Sequence, residues 1–293
     1  MIEIKGLYKS YGSKNVLSGI NLTLEDEKIY GILGRNGVGK STLLRLISAQ
    51  IKANKGSLEL DGQQIYENAR ALSDLCMIGE TRTSVGDMKV QAIFDAARML
   101  YKNWDEKYKD ELVGRFKLEV KKKYKKLSRG SQTMAGLIIG LASRARYTIF
   151  DEPSLGLDAA HRDLFYQLIL EDWERYPRTI IISTHLIDEV TNLFEEVIIL
   201  KEENILLQEE VPDLMERAHY LIGRKEQILS LADSGQFLNF EHFGSSSVRA
   251  ALFGPLDAKL EKELKENQVD ISPMPLQKLF IYLTEDQAEG EVM

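Results

Sequence analysis

The chain has 293 residues, 44% hydrophobic and 28% charged, a globular composition with apolar material for one large core and a smaller one. A formal net charge of -7 and a pI near 5.4 argue against a dedicated nucleic-acid binder, and charge-free stretches such as 134–143 and 179–185 fall well short of the roughly 20 apolar residues that cross a bilayer. A single cysteine, Cys76, in an apolar run excludes an internal disulfide and a cysteine-rich metal site, and the chain opens on a strand pattern without a secretory leader, so a cytoplasmic location is expected.

Ile2 and Ile4 alternate with charged neighbours, and Leu22 and Leu24 resume that period after an expected turn at Ser18 and Gly19, so antiparallel strands open the fold. Residues 29–33 are apolar without alternation, as a strand buried on both faces reads, and lead through Gly34 into a helix at 41–47. Val90, Ile93, Phe94, Ala97 and Tyr101 recur at helical spacing and 134–141 carries a second helix, which makes residues 85–140 a helical insertion. The basic cluster at 121–126, interrupted by Tyr124, reads as a solvated loop face. Buried-strand runs return at 147–150 and 179–182, each followed by helical patterning, and a hairpin-like pair lies at 197–200 and 205–207. After residue 216 come a strand near Tyr220, a helix at 226–231, a loop at 244–247, a strand at 248–253 and helices at 256–265 and 276–284. The expected architecture is α/β: a mixed sheet core, an antiparallel N-terminal subdomain and a helical insertion in residues 1–216, with a small α+β appendage in 217–293.

Gly34-Arg35-Asn36-Gly37-Val38-Gly39-Lys40-Ser41, followed by Thr42, fits G-x-x-x-x-G-K-[ST] and stands between the buried strand and a helix, the context the motif requires. Its backbone N–H groups and the helix N-terminus suit a β-phosphate; Lys40 would pair with phosphate oxygens and Ser41 would ligate Mg²⁺. The loop alone says only that a nucleotide is bound. The strand at 147–150 ends in Asp151 and Glu152, at the sheet edge where α/β folds bind ligands. Two acids there are, taken alone, as readily solvated residues; beside the phosphate loop, Asp151 can hold Mg²⁺ through water and Glu152 can orient or deprotonate the attacking water.

Three more segments follow in order: Leu127-Ser128-Arg129-Gly130-Ser131-Gln132, Ser154-Leu155-Gly156-Leu157-Asp158 and Ser183-Thr184-His185. With the loop and the acid pair they resemble the signature, D-loop and switch of the ABC ATPase family, over about residues 1–215. The resemblance implies a P-loop ATPase of ABC type that binds ATP and Mg²⁺ and pairs head to tail, as a homodimer or with a second ABC ATPase. It implies a separate integral membrane permease as partner, on the inner face of the membrane, and no nucleic acid. Ser128 and Gly130 would then act on the partner's γ-phosphate, Asp158 would serve as the D-loop acid, His185 would sense the γ-phosphate, and Tyr11 rather than Tyr8 would stack on adenine. Read from the residues alone, Ser128 is equally a helix N-cap. His161, His219 and His242 carry no assigned role.

The pattern also departs from the family. Glu80 stands where glutamine is usual, either as a metal ligand or as a surface acid; Arg129 replaces the first signature glycine and Ser131 stands where glutamine is common. Phe94, Tyr101, Trp104 and Tyr108 either line a permease groove or pack the helical subdomain. These departures and the appendage are similar in texture to bacterial antibiotic and peptide exporters, which implies export. A soluble ABC ATPase with a mechanical or regulatory role is the alternative; a nucleotide sensor without turnover is disfavoured by Glu152 and His185.

Overall fold

The structure, a computed structural model, describes residues 1–79, 86–229, 237–243 and 247–285. Contacts divide it into two units, Met1–His185 with Leu193–Gln208, and Leu186–Asn192 with Glu209–Met293.

In the first unit β1 (Ile2–Tyr11) and β2 (Lys14–Leu24) form an antiparallel ladder that turns at Gly12 and Ser13, not at Ser18 and Gly19. Ser18 and Gly19 lie inside β2, where the register slips: Leu7 pairs with Ile20 and Lys9 with Leu17, while Gly19 adopts φ +69°. Two residues opposing one make a bulge, and a glycine in a bulge reads in sequence like a turn. β3 (Ile29–Gly34), buried at all six residues, runs into α1 (Lys40–Ile47). β4 (Lys55–Leu60) returns to pair with β1, β5 (Gln63–Gln64) pairs with β4, and α2 (Ala69–Leu72) leads to β6 (Leu75–Ile78).

The insertion holds α3 (Val90–Leu100), α4 (Glu106–Arg115) and α5 (Arg129–Ala142). Helix α4 buries only Lys109 and Leu112 among mostly charged residues, so its apolar period was too weak to read; Asp105 starts it by accepting the Tyr108 N–H at 2.9 Å. Next come β7 (Tyr147–Asp151), α6 (Ala159–Arg175), β8 (Thr179–Ser183), the short α7 (Ile187–Val190) of the second unit, β9 (Glu196–Lys201) and β10 (Asn204–Glu210). The strands order as β10-β9-β3-β8-β7-β6, with β9, β3, β8, β7 and β6 mutually parallel. Burial of β3 and β8 on both faces explains their unbroken apolar runs.

Arg144 ties α4 to α6. Its guanidinium pairs with Asp105 at 3.1 Å and with the buried Asp172, and it lies 4.5 Å over the Tyr108 ring and 4.0 Å over the Tyr176 ring. Phe94 is buried in α3, and the Trp104 indole N–H donates to Glu106 at 2.7 Å. Large apolar side chains that the insertion does expose are Met88, Met99 and Leu100. The basic cluster at 121–126 is solvated apart from Tyr124, and Cys76 is buried.

The second unit continues with α8 (Val211–Glu216), β11 (Ala218–Arg224), α9 (Lys225–Leu229), β12 (Phe237–Phe243), β13 (Ser247–Phe253), α10 (Ala258–Glu266), β14 (Asp270–Pro273) and α11 (Leu276–Thr284). Its antiparallel sheet, ordered β12-β13-β11-β14, joins β11-α9-β12 and β13-α10-β14 as a split βαβ repeat. Leu221, Ile228, Ala250, Leu252, Leu260, Leu264 and Val269 form its core. Helix α11 places the Tyr282 hydroxyl 2.6 Å from Glu241 and packs against α7, whose Asp188 N–H reaches Gln277 at 3.4 Å. No helix among the described residues is long and apolar enough to cross a membrane.

Helix α5 approaches the main sheet closely because it presents glycine there. A Cβ at Gly140 would lie 2.5 Å from the Phe150 ring and one at Gly136 2.9 Å from Ile78, whereas Gly114 in α4 faces open space. Urea unfolding should therefore separate two nominally alike changes. Gly140→Ala is expected to lose about 2 kcal/mol by overpacking, and Gly114→Ala to gain about 0.5 kcal/mol by its helix preference.

Candidate nucleotide site

The C-terminal ends of β3, β8 and β7 lie side by side, so three segments far apart in sequence open at one sheet edge. From β3 comes the phosphate loop. Arg35, Asn36 and Gly37 are exposed, and Gly39 takes φ +117° as the N-terminal boundary of α1, a conformation that only glycine adopts without strain. A Cβ at Gly39 would also meet Leu17 and the Val16 carbonyl at 3.0 Å, so the loop rests on β2. Val38 packs on Gly34, and Ser41 and Thr42 are half-buried in the first turn of α1.

Lys40 is buried. Its ammonium donates to the Gly34 carbonyl at 2.7 Å and to that of Arg35 at 3.5 Å, and lies 3.9 Å from Glu152 Oε1. Burial lowers its pKa against the attraction of Glu152 and Asp151, so the site spends free energy holding a cation with too few partners. A phosphate group placed in the loop would supply negative charge to it.

From β7 and β8 come the acids and the histidine. Asp151 Oδ1 accepts from Ser41 Oγ at 3.1 Å and from Ser183 Oγ at 2.6 Å. Glu152 adopts φ +52°, unusual for a non-glycine residue, with its N–H shared between the Ser183 carbonyl and hydroxyl, each at 3.1 Å. Its carboxylate meets His185 Nδ1 at 2.7 Å. Lys40, Ser41, Asp151, Glu152 and His185 are thereby joined in one chain of contacts, with Ser183, part of the switch segment but given no role from the sequence, as a further member. The available signal was a hydroxyl closing an otherwise apolar strand.

A second group gathers at the start of α5. Ser128 Oγ caps the helix by accepting the Ser131 N–H at 3.1 Å and lies 2.9 Å from the Ser131 hydroxyl. Gly130 sits where a Cβ would be 2.6 Å from the Gly156 carbonyl, and Thr133 donates to the Leu155 carbonyl at 2.8 Å, so this helix start is packed on the loop after Pro153. Asp158 caps α6 through the His161 N–H at 2.9 Å and also meets the His161 ring at 2.8 Å; these hydrogen bonds hold its carboxyl below the usual range. A cavity of about 340 Å³ is lined by residues of both groups, Asp151 and Glu152 from one and Arg129 and Thr133 from the other. Tyr11 ends β1 half-exposed, with the Lys9 ammonium 5.1 Å from its ring centroid. Glu80 lies outside the described residues.

A phosphate loop, acid pair and histidine on one parallel edge, beside a helical insertion with its own exposed glycine-containing cap, make this fold an ATPase of the ABC type. The family model described as ABC transporter matches residues 17–155. The ABC transporter ATP-binding protein YtrB of Bacillus subtilis is 31% identical over 65% of this chain, which spans 65% of YtrB. The taurine import ATP-binding protein TauB of Escherichia coli K12 is 32% identical over 64% of this chain and 75% of TauB. Among solved structures, an ATP-binding subunit of an ABC transporter has a TM-score of 0.66 at 20% identity, over 73% of this chain and 91% of that one. CbiO1 of Clostridium perfringens, described as part of an ABC transporter complex, has a TM-score of 0.59 at 26% identity, over 72% and 89%. The chain belongs to the ABC transporter family, as an ATP-binding subunit.

Replacing Glu152 by glutamine preserves size and a hydrogen-bonding partner for His185 but removes a carboxylate able to accept a proton. Phosphate-release assays should show kcat reduced on the order of 10²- to 10⁴-fold, while titration with a fluorescent ATP analogue should give an unchanged Kd.

Proposed function

We propose that the chain hydrolyses ATP to drive a separate integral membrane permease, from the cytoplasmic face of the membrane, and that it serves an exporter. Residues 1–216 act as the cassette and 217–293 as an accessory unit. The observation that carries the reading is the contact chain from Lys40 and Ser41 through Asp151 to Glu152 and His185. Export is favoured by the altered signature and the appended unit.

In hydrolysis Lys40 exchanges its carbonyl partners for β- and γ-phosphate oxygens, with the loop N–H groups of residues 34–42 around the β-phosphate. Glu152 accepts a proton from the attacking water as that oxygen bonds to the γ-phosphorus and the bond from the γ-phosphorus to the β,γ-bridging oxygen breaks, with ADP as the leaving group; His185 holds both the Glu152 carboxylate and a γ-phosphate oxygen. Tyr11 supplies an exposed ring face for adenine. The Ser41 hydroxyl and Asp151 carboxylate, 3.1 Å apart, are hard oxygen donors that fit Mg²⁺. An ion held there would take its remaining ligands from phosphate and water. Bound there, Mg²⁺ neutralises charge on the phosphate oxygens; Glu80 would add a further ligand.

Two copies, or this chain and a second ABC ATPase, enclose two ATP, with Ser128 and Gly130 of each facing the other's γ-phosphate and Asp158 between the sites. Ser128 caps α5 with a lone pair, which leaves its hydroxyl proton for the phosphate when the Ser131 hydroxyl is the donor in their 2.9 Å contact, and Gly130 contributes an N–H from the first turn of that helix. Met99 and Leu100, 87% and 74% exposed on α3, offer an apolar contact for the permease.

Light scattering on the Glu152→Gln chain should give a monomer without nucleotide and a dimer with Mg-ATP. A variant that binds ATP yet stays monomeric rejects the symmetric pair and directs the search to a different ATPase subunit. Changing Met99 and Leu100 to glutamate should leave ATP hydrolysis by the isolated chain unchanged and reduce its recovery with membranes; full recovery removes this face from permease docking.

A further inference from the structure

We infer that Ser183 is a positioning residue for hydrolysis, whose hydroxyl fixes the base carboxylate of Glu152 relative to Asp151. The inference rests on the reading of Glu152 as the residue that activates water.

The position has a restrictive chemistry. On one side Ser183 Oγ donates to Asp151 Oδ1 at 2.6 Å; on the other it accepts the Glu152 N–H at 3.1 Å. An ionised carboxylate only accepts and a backbone N–H only donates, so the group between them must do both, as a hydroxyl does. Ser183 is wholly buried and cannot be replaced in this role by bulk water. Its location is equally determined: as the last residue of β8 it is in register with Asp151 of β7 and Ile32 of β3.

What the hydroxyl holds is a backbone conformation that needs holding. Glu152 sits at φ +52°, in the left-handed region that side chains other than glycine and asparagine disfavour. That conformation turns its carboxylate toward His185 at 2.7 Å and Lys40 at 3.9 Å. The Asp151 oxygen that accepts from Ser183 also accepts from Ser41 at the start of α1. One hydroxyl thus couples the left-handed turn at the base to the acid that contacts the phosphate-loop helix. Without it the Glu152 N–H retains the Ser183 carbonyl at 3.1 Å, so the strand end keeps its backbone bond while the carboxylates lose their common reference.

The test compares the full chain with Ser183→Ala, Ser183→Thr and Ser183→Val, measuring kcat, ATP-analogue Kd and the urea midpoint of each. Misplacing a reacting group by about an ångström costs on the order of 10²-fold. The Ala variant should therefore lose kcat on that order with Kd unchanged, while the urea midpoint falls only by what one buried hydrogen bond explains and the chain stays folded under assay conditions, a separation that a merely structural residue would not give. Thr and Val have the same shape and differ in the hydroxyl, so the Thr variant should exceed the Val variant in kcat even if the added methyl slows both. Equal kcat in that pair, or wild-type kcat in the Ala variant, overturns the assignment. Glu152→Gln measured alongside separates two failures: if it is inactive while Ser183→Ala is fully active, only the role of Ser183 falls; if it hydrolyses ATP normally, the reading of Glu152 falls first.

Discussion

Strand β8 lies between β3 and β7 and is hydrogen-bonded to both, and the geometry of the nucleotide edge follows from that order. The phosphate loop leaves β3, the acid pair leaves β7, and β8 ends between them in Ser183, Thr184 and His185. Parallel pairing aligns all three C-terminal ends, which is why residues separated by more than a hundred positions, such as Ser41 and Asp151, come within hydrogen-bonding distance. The central strands accept full burial to keep this alignment, and their backbone groups are satisfied by neighbours on both sides.

The edge is built with stored cost. Lys40 is desolvated against two carbonyls and a carboxylate at 3.9 Å, and Glu152 is held in a left-handed turn. Both features are unfavourable for the chain by itself and favourable for phosphate and water chemistry, the usual placement of strain in a functional site. The helix start at Ser128 is organised differently. Ser128 and Asp158 already serve as N-caps, so these side chains keep their orientation whether or not a second subunit is engaged. Capping uses a lone pair of the serine hydroxyl and one aspartate oxygen, so it is chemically compatible with the proposed intermolecular role.

The second unit is a split βαβ module with its own core, completed by α11, and it takes in residues 186–192, the segment that follows His185 in the chain. Helix α7 in that segment has Leu186 at its N-cap position, without a side-chain capping bond, and Gln277 of α11 accepts from its Asp188 N–H. A four-residue helix is marginal by itself, and packing on α11 is what makes it persist.

The sequence by itself determined the features that arise from short spacings. The phosphate loop, the fully apolar strands at 29–33 and 179–182, the acid pair after residue 150 and the serine cap of α5 each depend on residues within one turn or one strand, so composition and period reveal them. Helix α4, strands β12 and β14 and the bulge at Ser18 and Gly19 escaped because charge, shortness or a glycine masked the period. Strand order was decided only in the tertiary structure, since the pairing of β8 with both β3 and β7 is a competition among buried apolar strands that look alike in sequence. With it came the role of Ser183: a serine after three isoleucines has no visible partner until Asp151 and Glu152 are brought beside it by a neighbouring strand.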